Sequence, residues 1–270
     1  MKIDLHIHSA LSDGTDSTKS IVDKAKRLGI GCISITDHDC IGAIKQAKQY
    51  ALDNNIQYVN GVELSTFSVS EIHILGYCFD ENNSALLEKL DYFETKRKER
   101  AKIILDRLYD LGVKLDTELL PQDSKSVGRL HIAKMMVAQK YVATIPEAFD
   151  KYLGVNGKAY CPSKRITPMQ GVQLIKQAKG YPVIAHPLRF LQQNTLRPLI
   201  DGLKPFGLEG IEVYYPTHDK RIADELNSLA RRCQLIATGG TDYHGENRNI
   251  ELGSVDVRLD GYTKSRLNIK

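Results

Sequence analysis

Short runs of β-branched residues alternate with amphipathic stretches along most of the chain. This alternation is typical of an α/β fold, in which strands of a largely parallel sheet or barrel are covered by helices. About seven strands favour a barrel over a sandwich. We predict strands at residues 2–6, 32–36, 57–63, 72–76, 182–185, 210–214 and 235–238, with an edge strand at 254–257.

Two helices are predicted between the early strands. The first covers residues 17–28, with Ser17 as its N-cap and Gly29 at its end, and the second covers 41–53. Both are interpreted as connecting helices.

The alternation stops between about residues 82 and 168. A charged amphipathic pattern over 84–111 is followed by helical segments near 130–139 and 146–153. We therefore predict a barrel domain formed by 1–81 and 168–270, and a mostly helical insertion, 82–167, that caps the active site.

Composition and charge exclude several classes of protein. The 270 residues are 42% hydrophobic and 26% charged, as in ordinary globular chains. The net charge of +4 suits an anionic substrate but does not demand nucleic acid, so we expect no stable binding to duplex DNA. Because the longest apolar runs are far shorter than the ~18 residues of a membrane span, we expect no membrane partner.

The five cysteines are odd in number and contain no Cys-x-x-Cys pair. This spacing argues against a disulfide framework and against a thiolate zinc site. The first residues also lack the continuous apolar core of a signal peptide. We expect a reduced, cytoplasmic protein.

Histidines and acids collect near the ends of the predicted strands. His6 and His8 lie at alternate positions of an extended segment, so both imidazoles project from the same side and can bind one ion. The carboxyl ends of parallel barrel strands converge on one face. Gly239 and Gly240 permit a tight turn and close approach of the backbone to a ligand. The candidate donors are His6, His8, Asp13, His38, Glu63, His73, His186, Asp242 and His244.

Nine donors are more than one ion needs. A catalytic zinc typically takes three protein ligands, so nine donors predict a cluster of two or three divalent ions. Imidazole and carboxylate ligands without thiolate suit Mn²⁺, Fe²⁺ or Zn²⁺, and we expect Mn²⁺.

The motifs Asp4-Leu5-His6-Ile7-His8-Ser9, Thr36-Asp37-His38-Asp39 and Asp242-Tyr243-His244 resemble those of the PHP (polymerase and histidinol phosphatase) superfamily of metal-dependent phosphoesterases. Glu63, His73 and His186 complete the resemblance, which spans almost the whole chain and implies a distorted seven-stranded (β/α) TIM-like barrel. The resemblance implies that Glu63 bridges two ions. One ion would be held by His6, His8, Glu63 and Asp242, the catalytic set; a second by Glu63, His73 and His186; a third by Asp13, His38 and His244.

Two further segments, Gly128-Arg129-Leu130-His131 and His186-Pro187-Leu188-Arg189, resemble the branch that contains nucleoside 3′,5′-bisphosphate phosphatases and 5′–3′ exoribonucleases. Leu130 stands where that motif usually carries proline. The resemblance implies that Arg129, His131 and Arg189 bind substrate phosphates. A guanidinium group at a helix start suits this role, although Arg129 and Arg189 could instead be surface ion-pair partners.

The predicted function is removal of the 3′-phosphate of a nucleoside 3′,5′-bisphosphate by a metal-bridged hydroxide. Alternative substrates are histidinol phosphate and the 5′ end of a short RNA. Amidohydrolases also begin with His-x-His, but they typically use a bridging lysine where Glu63 stands here. A metal-binding scaffold without activity is the remaining alternative.

Several other residues carry no decisive pattern. His218, Glu212, Asp37 and Asp39 could orient ligands or serve the fold. Tyr214 and Tyr215 could stack on a base or pack in the core, as could Tyr160.

Overall fold

A computed structural model describes residues 1–68, 70–117, 127–189 and 191–270. The chain divides into two compact units: the first consists of Met1–Lys89 with Arg165–Lys270, and the second of Leu90–Lys164. The second unit is helical in its described part, with a buried core around Ile104, Ile132 and Met136. Its expected role as a cap over an active site stays a prediction.

The strands form two sheets, and the α/β class predicted from the sequence is correct. The first sheet has the order β1-β2-β3 and is parallel; the second has the order β4-β5-β6-β7-β8. In the second sheet β5 is antiparallel to β4 and β6, and β6, β7 and β8 are parallel. The strands are β1 (Lys2–Ile7), β2 (Ile30–Ile35), β3 (Gln57–Tyr58), β4 (Gly61–Phe67), β5 (Glu71–Tyr77), β6 (Tyr181–Ile184), β7 (Gly210–Tyr214) and β8 (Ile236–Gly239).

The edges of the two sheets meet through isolated bridges. Ile7 pairs with Tyr243 at one edge, and His38 pairs with Glu63 at the other. Within the described ranges no longer ladder joins the sheets, so the closed TIM-like barrel stays a prediction. Each bridge lies beside candidate metal donors, which brings the two sheets together at the candidate site.

Two strand predictions were wrong in detail. The stretch 57–63 is divided into β3 and the start of β4, which belong to different sheets. Residues 254–257 form no strand, because their backbone makes local bonds: the Ser254 amide donates to Glu251 and the Val257 amide to Val255.

Helices connect most strands and fill the second unit. Ser17 caps α1 as predicted, since its side chain accepts a hydrogen bond from the Ser20 amide, and Gly29 follows with φ 67°. Among the described helices, none combines the length and apolar character that crossing a membrane requires. The helices are α1 (Thr18–Arg27), α2 (Ile44–Asp53), α3 (Ser84–Asp110), α4 (Arg129–Ala138), α5 (Ile145–Ala148), the π-helix Phe149–Leu153, α6 (Pro168–Gln177), α7 (Gln193–Leu203), α8 (Lys220–Arg232) and α9 (Gly261–Arg266).

Strands of both sheets bury one shared cluster of side chains, called here the apolar core. The Tyr77 ring is completely buried in it, and its hydroxyl donates to the Leu5 carbonyl at 2.8 Å. The apolar core consists of Ile3, Leu5, Cys32, Val59, Leu75, Tyr77, Val183, Ala185, Ile236, Val257, Leu267 and Ile269.

Candidate metal centre

The alternation of β1 divides its side chains between two environments. Ile3 and Leu5 belong to the apolar core, whereas His6 and His8 project to a common site with ring centroids 5.2 Å apart. Both imidazoles are completely buried. The period of two along the strand thus places two potential ligands together, as the sequence indicated.

All nine predicted donors come together in the first unit and are called here the polar cluster. Asp13 and His38 are half-buried, and the other seven are buried. In each of four groups, the potential ligand atoms all lie within 4.8 Å of one another. The groups are His8, Asp13, His38 and His244; His6, Glu63 and His186; His6, His8 and Asp242; and His38, Glu63 and His73.

Glu63 lies at the centre of the polar cluster. Its Oε1 atom is 2.9 Å from His73 Nδ1 and 3.0 Å from His186 Nε2. Its Oε2 atom is 3.0 Å from His38 Nδ1 and 3.2 Å from His8 Nε2. Each carboxylate oxygen therefore faces at least two imidazoles, which is an arrangement suited to a bridging ligand.

The four groups overlap with the three ligand sets implied by the resemblance. Asp13, His38 and His244 stay together and gain His8. His73 groups with His38, and His186 with His6, so these two histidines fall in different groups. The division of ligands among ions stays a prediction.

Several buried atoms of the polar cluster have no hydrogen bond to any residue that the structure describes. Buried polar atoms are nearly always paired in proteins, so a concentration of unpaired ones points to an ion or ligand. Imidazole nitrogens and carboxylate oxygens are ligands that suit Mn²⁺, Fe²⁺ or Zn²⁺. The residues present thus fit a group of divalent cations. The atoms are His6 Nε2, His8 Nδ1 and Nε2, Asp13 Oδ1, His38 Nδ1, Glu63 Oε2 and His244 Nε2.

Burial and neighbouring charges shift the pKa values of the polar cluster in different directions. Burial opposes the charged form of His8, but Asp242 and Glu63 outweigh it and raise its pKa to about 9. Burial dominates at His38 and lowers its pKa to about 4. For Glu63, burial is outweighed by His38, His73 and His6, which hold its pKa well below the usual range. The pKa values of Asp13 and Asp242 are likewise held well below the usual range by nearby imidazoles, so the acids are ready to bind cations at neutral pH, whereas His8 must first lose a proton.

Two buried acids support the polar cluster from outside it. Glu212 Oε1 lies 2.9 Å from His6 Nδ1, and its Oε2 accepts a hydrogen bond from the His186 amide at 2.6 Å. Asp37 accepts hydrogen bonds from the amide and hydroxyl of Ser9, at 2.7 and 2.6 Å. The structure thus places Glu212 where it orients two candidate ligands, and Asp37 where it holds the loop after His8.

Three contacts were not predicted from the sequence. His73 Nε2 lies 2.9 Å from Glu71 Oε1, and Arg165 Nη1 lies 2.7 Å from the same oxygen. Arg248 donates to Asp242 Oδ2. The spacing of Glu71 and His73 on one strand could have indicated their contact, whereas no pattern marks Arg248.

Backbone conformation is unusual at three residues that follow strands. Asp39, His186 and Asp242 have φ values of 51°, 24° and 52°. Such values are uncommon for residues with a side chain, and they concentrate at functional sites. A Cβ atom at Gly240 would collide with the His6 amide, so the close approach expected there is to β1.

The three predicted phosphate-binding residues are divided between the two units. Arg189 Nη1 is 3.2 Å from Asp242 Oδ2 in the first unit. In the second unit, Arg129 Nη1 donates to the Leu153 carbonyl at 3.2 Å, and His131 Nδ1 accepts from the Gly128 amide at 3.1 Å. The roles of Arg129 and His131 in substrate binding stay predictions.

Comparison with known proteins points to one family. The family model described as the PHP domain matches residues 4–156. A 5′-3′ exoribonuclease of Haemophilus influenzae is 32% identical over 256 residues, which cover 93% of this chain and 93% of that protein. A 3′,5′-nucleoside bisphosphate phosphatase of Chromobacterium violaceum is 31% identical over 247 residues, covering 90% and 87%. The structure of an amidohydrolase from Chromobacterium violaceum matches with a TM-score of 0.85 and 28% identity, over 97% of this chain and 93% of that one.

Proposed function

Because the chain belongs to the PHP domain family and is a metal-dependent phosphoesterase, we propose that it hydrolyses the 3′-phosphate of nucleoside 3′,5′-bisphosphates. The products would be a 5′-mononucleotide and inorganic phosphate. The observation that carries the proposal is the polar cluster with Arg189 at its edge. It offers cation ligands and a guanidinium group to one phosphate ester.

The residues of the chain divide the work of catalysis. Divalent ions, when bound, supply Lewis acidity: they lower the pKa of water and neutralise phosphate oxygens. Glu63, with at least two imidazoles facing each oxygen, is the proposed bridging ligand. Glu212 accepts the Nδ1 proton of His6, which leaves the Nε2 lone pair of His6 facing Asp242 and Glu63. We propose Mn²⁺ as the metal, since the ligand set is rich in imidazole and contains no thiolate.

A second candidate function is 5′–3′ exonuclease activity on short RNA. It is favoured by the relative named 5′-3′ exoribonuclease, which matches along most of its length. Release of a 5′-mononucleotide from a 5′-phosphorylated RNA breaks the same P–O3′ bond as the proposed phosphatase reaction. The two functions therefore differ only in what is attached to the phosphate: it is terminal in the bisphosphate, and it carries the rest of the chain in the RNA.

A phosphate-release panel tests the proposal. The purified protein is reconstituted with Mn²⁺ and given adenosine 3′,5′-bisphosphate, histidinol phosphate, a 5′-phosphorylated RNA and adenosine 3′-monophosphate. We expect the highest kcat/KM for the bisphosphate. A higher value for the RNA would move the assignment to the exonuclease, and turnover of histidinol phosphate alone would overturn both.

A further inference from the structure

The Oδ2 atom of Asp242 accepts hydrogen bonds from three side chains. The Tyr215 hydroxyl lies at 2.9 Å and Arg189 Nη1 at 3.2 Å, and Arg248 Nη1 is the third donor. A carboxylate oxygen has two lone pairs, so the donors compete. The other oxygen, Oδ1, faces the Nε2 atoms of His6 and His8, at 3.4 and 3.2 Å.

The Oδ2 atom of Asp242 faces two guanidinium groups. The negative charge of this one carboxylate is also shared with three imidazoles, because His244 Nδ1 lies 3.5 Å from Oδ1. The charge of Asp13 also acts on Arg248, but Asp13 is itself directed to His244, at 3.2 Å. This edge of the polar cluster is therefore suited to binding an anion.

Arg248 is held in place before any substrate binds. It follows the short helix Gly245–Asn247, whose Glu246 amide donates to Thr15 Oγ1 at 2.9 Å and whose Asn247 side chain donates to the Asp13 carbonyl. Only 23% of the Arg248 side chain is exposed. Its Nε and Nη2 atoms make no hydrogen bond with the described residues, so N–H groups remain for a ligand.

We infer that Arg248 binds the phosphoryl group that is transferred, opposite Arg189, as a further substrate-binding residue. One N–H stays on Asp242 Oδ2, and the remaining N–H groups donate to phosphate oxygens. The transferred group is favoured over a more distant phosphate because Arg248 is separated by a single carboxyl group from the imidazoles of His6 and His8. The inference rests on the proposed function only in requiring that the site takes a phosphate ester.

The alternative is that Arg248 only orients Asp242. Arg248→Gln separates the two roles, because glutamine retains an N–H donor for Asp242 but has no charge. Arg248→Lys retains the charge but not the planar fork. Arg258→Ala is the matched control, since Arg258 is an exposed arginine of the same unit that pairs with Asp256.

Calorimetric binding of inorganic phosphate to the Mn²⁺-reconstituted protein is the primary measurement. We expect the Kd for phosphate to rise about 10- to 100-fold in Arg248→Gln and about tenfold in Arg248→Lys. It should stay within about twofold in the control, with the Mn²⁺ content unchanged in every variant. Wild-type phosphate affinity in Arg248→Gln, or a loss of Mn²⁺ from that variant, would overturn the inference. Should Arg248→Gln not fold, Arg248→Lys decides on the same readouts.

Steady-state kinetics separate this inference from the proposed function. With p-nitrophenyl phosphate and with adenosine 3′,5′-bisphosphate, kcat/KM of Arg248→Gln should fall by similar factors, on the order of 100-fold. A loss confined to the bisphosphate would place Arg248 on the second phosphate and contradict the inference. If the wild-type protein hydrolysed p-nitrophenyl phosphate but not the bisphosphate, the proposed function would be refuted. The phosphate affinities of the variants would still decide the role of Arg248.

Discussion

The polar cluster and the apolar core draw residues from the same strands, and most members of both are buried. In β1, Leu5 and His6 are both completely inaccessible to solvent, yet they serve opposite purposes. Burial of leucine stabilises the fold, whereas burial of an imidazole without a hydrogen bond costs free energy. The first unit thus contains a region that holds it together and a region that only a ligand can satisfy.

The comparison also shows how the polar cluster is sustained. Its side chains lie within the strands or follow them, while Ile236, Val183 and Leu75 of those strands pack in the apolar core. His186 and Asp242, two members of the polar cluster, have positive φ values. The unpaired buried atoms of the polar cluster cost free energy, and the apolar core provides the compensating stability.

Replacing a ligand should give the largest effect. For His8→Ala we expect kcat to fall by about 1000-fold or more, because the cations lose a ligand shared by two groups. The rise in Tm that Mn²⁺ gives the wild-type protein should largely disappear. Activity assays and thermal unfolding with and without Mn²⁺ check this, and an unchanged Mn²⁺-dependent rise would argue against the assignment of His8.

Truncation of a side chain in the apolar core should lower the stability of the fold and leave metal binding unchanged. Ile236 is completely buried, so Ile236→Ala should lower the free energy of unfolding by about 3 kcal/mol, and Ile236→Val by about 1 kcal/mol. Bound Mn²⁺ per folded chain should not change. Chemical denaturation and metal analysis test the contrast, which fails if the substitution removes metal without destabilising the protein.

A smaller effect is expected at Glu212, which contacts His6 and His186 from outside the polar cluster. Glu212→Gln should reduce Mn²⁺ affinity or activity by about 10- to 100-fold, because the orientation of His6 is no longer fixed. Metal titration and steady-state kinetics give the result. Wild-type values for both would mean that Glu212 serves the fold alone.

The smallest effect concerns pH. Contacts with acids outweigh burial and raise the pKa of His8 and His73 from 6.5 to about 9 in the metal-free protein. Their protonation therefore stabilises the metal-free fold below about pH 6.5, and this contribution is lost as pH rises through 9. Nearby acids also raise the pKa of His6 well above its usual value. Cations must displace the protons of all three imidazoles, so Mn²⁺ affinity should increase from pH 7 to 9 with net release of protons at pH 7. Calorimetry in buffers of different ionisation enthalpy measures the release, and pH-independent affinity would contradict this prediction.

The sequence predicted what depends on local periodicity. The strand at 210–214 has the predicted bounds, and α3 ends one residue before the predicted 111. The nine donors could be chosen because each follows or lies within a strand whose alternation is visible. The structure brings the nine donors together in one place, and their roles as ligands stay predictions.

What the sequence could not predict depends on tertiary contacts. Val257 packs in the apolar core, although its segment makes no ladder hydrogen bonds. A β-branched residue that is buried in this way gives the same sequence pattern as a strand. Arg248 reaches Asp242 only because the loop after β8 is fixed to Thr15 and Asp13. Such contacts leave no period in the sequence.

The most direct test is the metal content of the reconstituted protein. The wild-type chain, loaded with Mn²⁺ and freed of excess metal, should retain about two or three ions by mass spectrometry. Asp242→Ala should lose at least one of them. Fewer than one ion in the wild-type chain, or the same content in both proteins, would contradict the claim that the polar cluster is a metal centre.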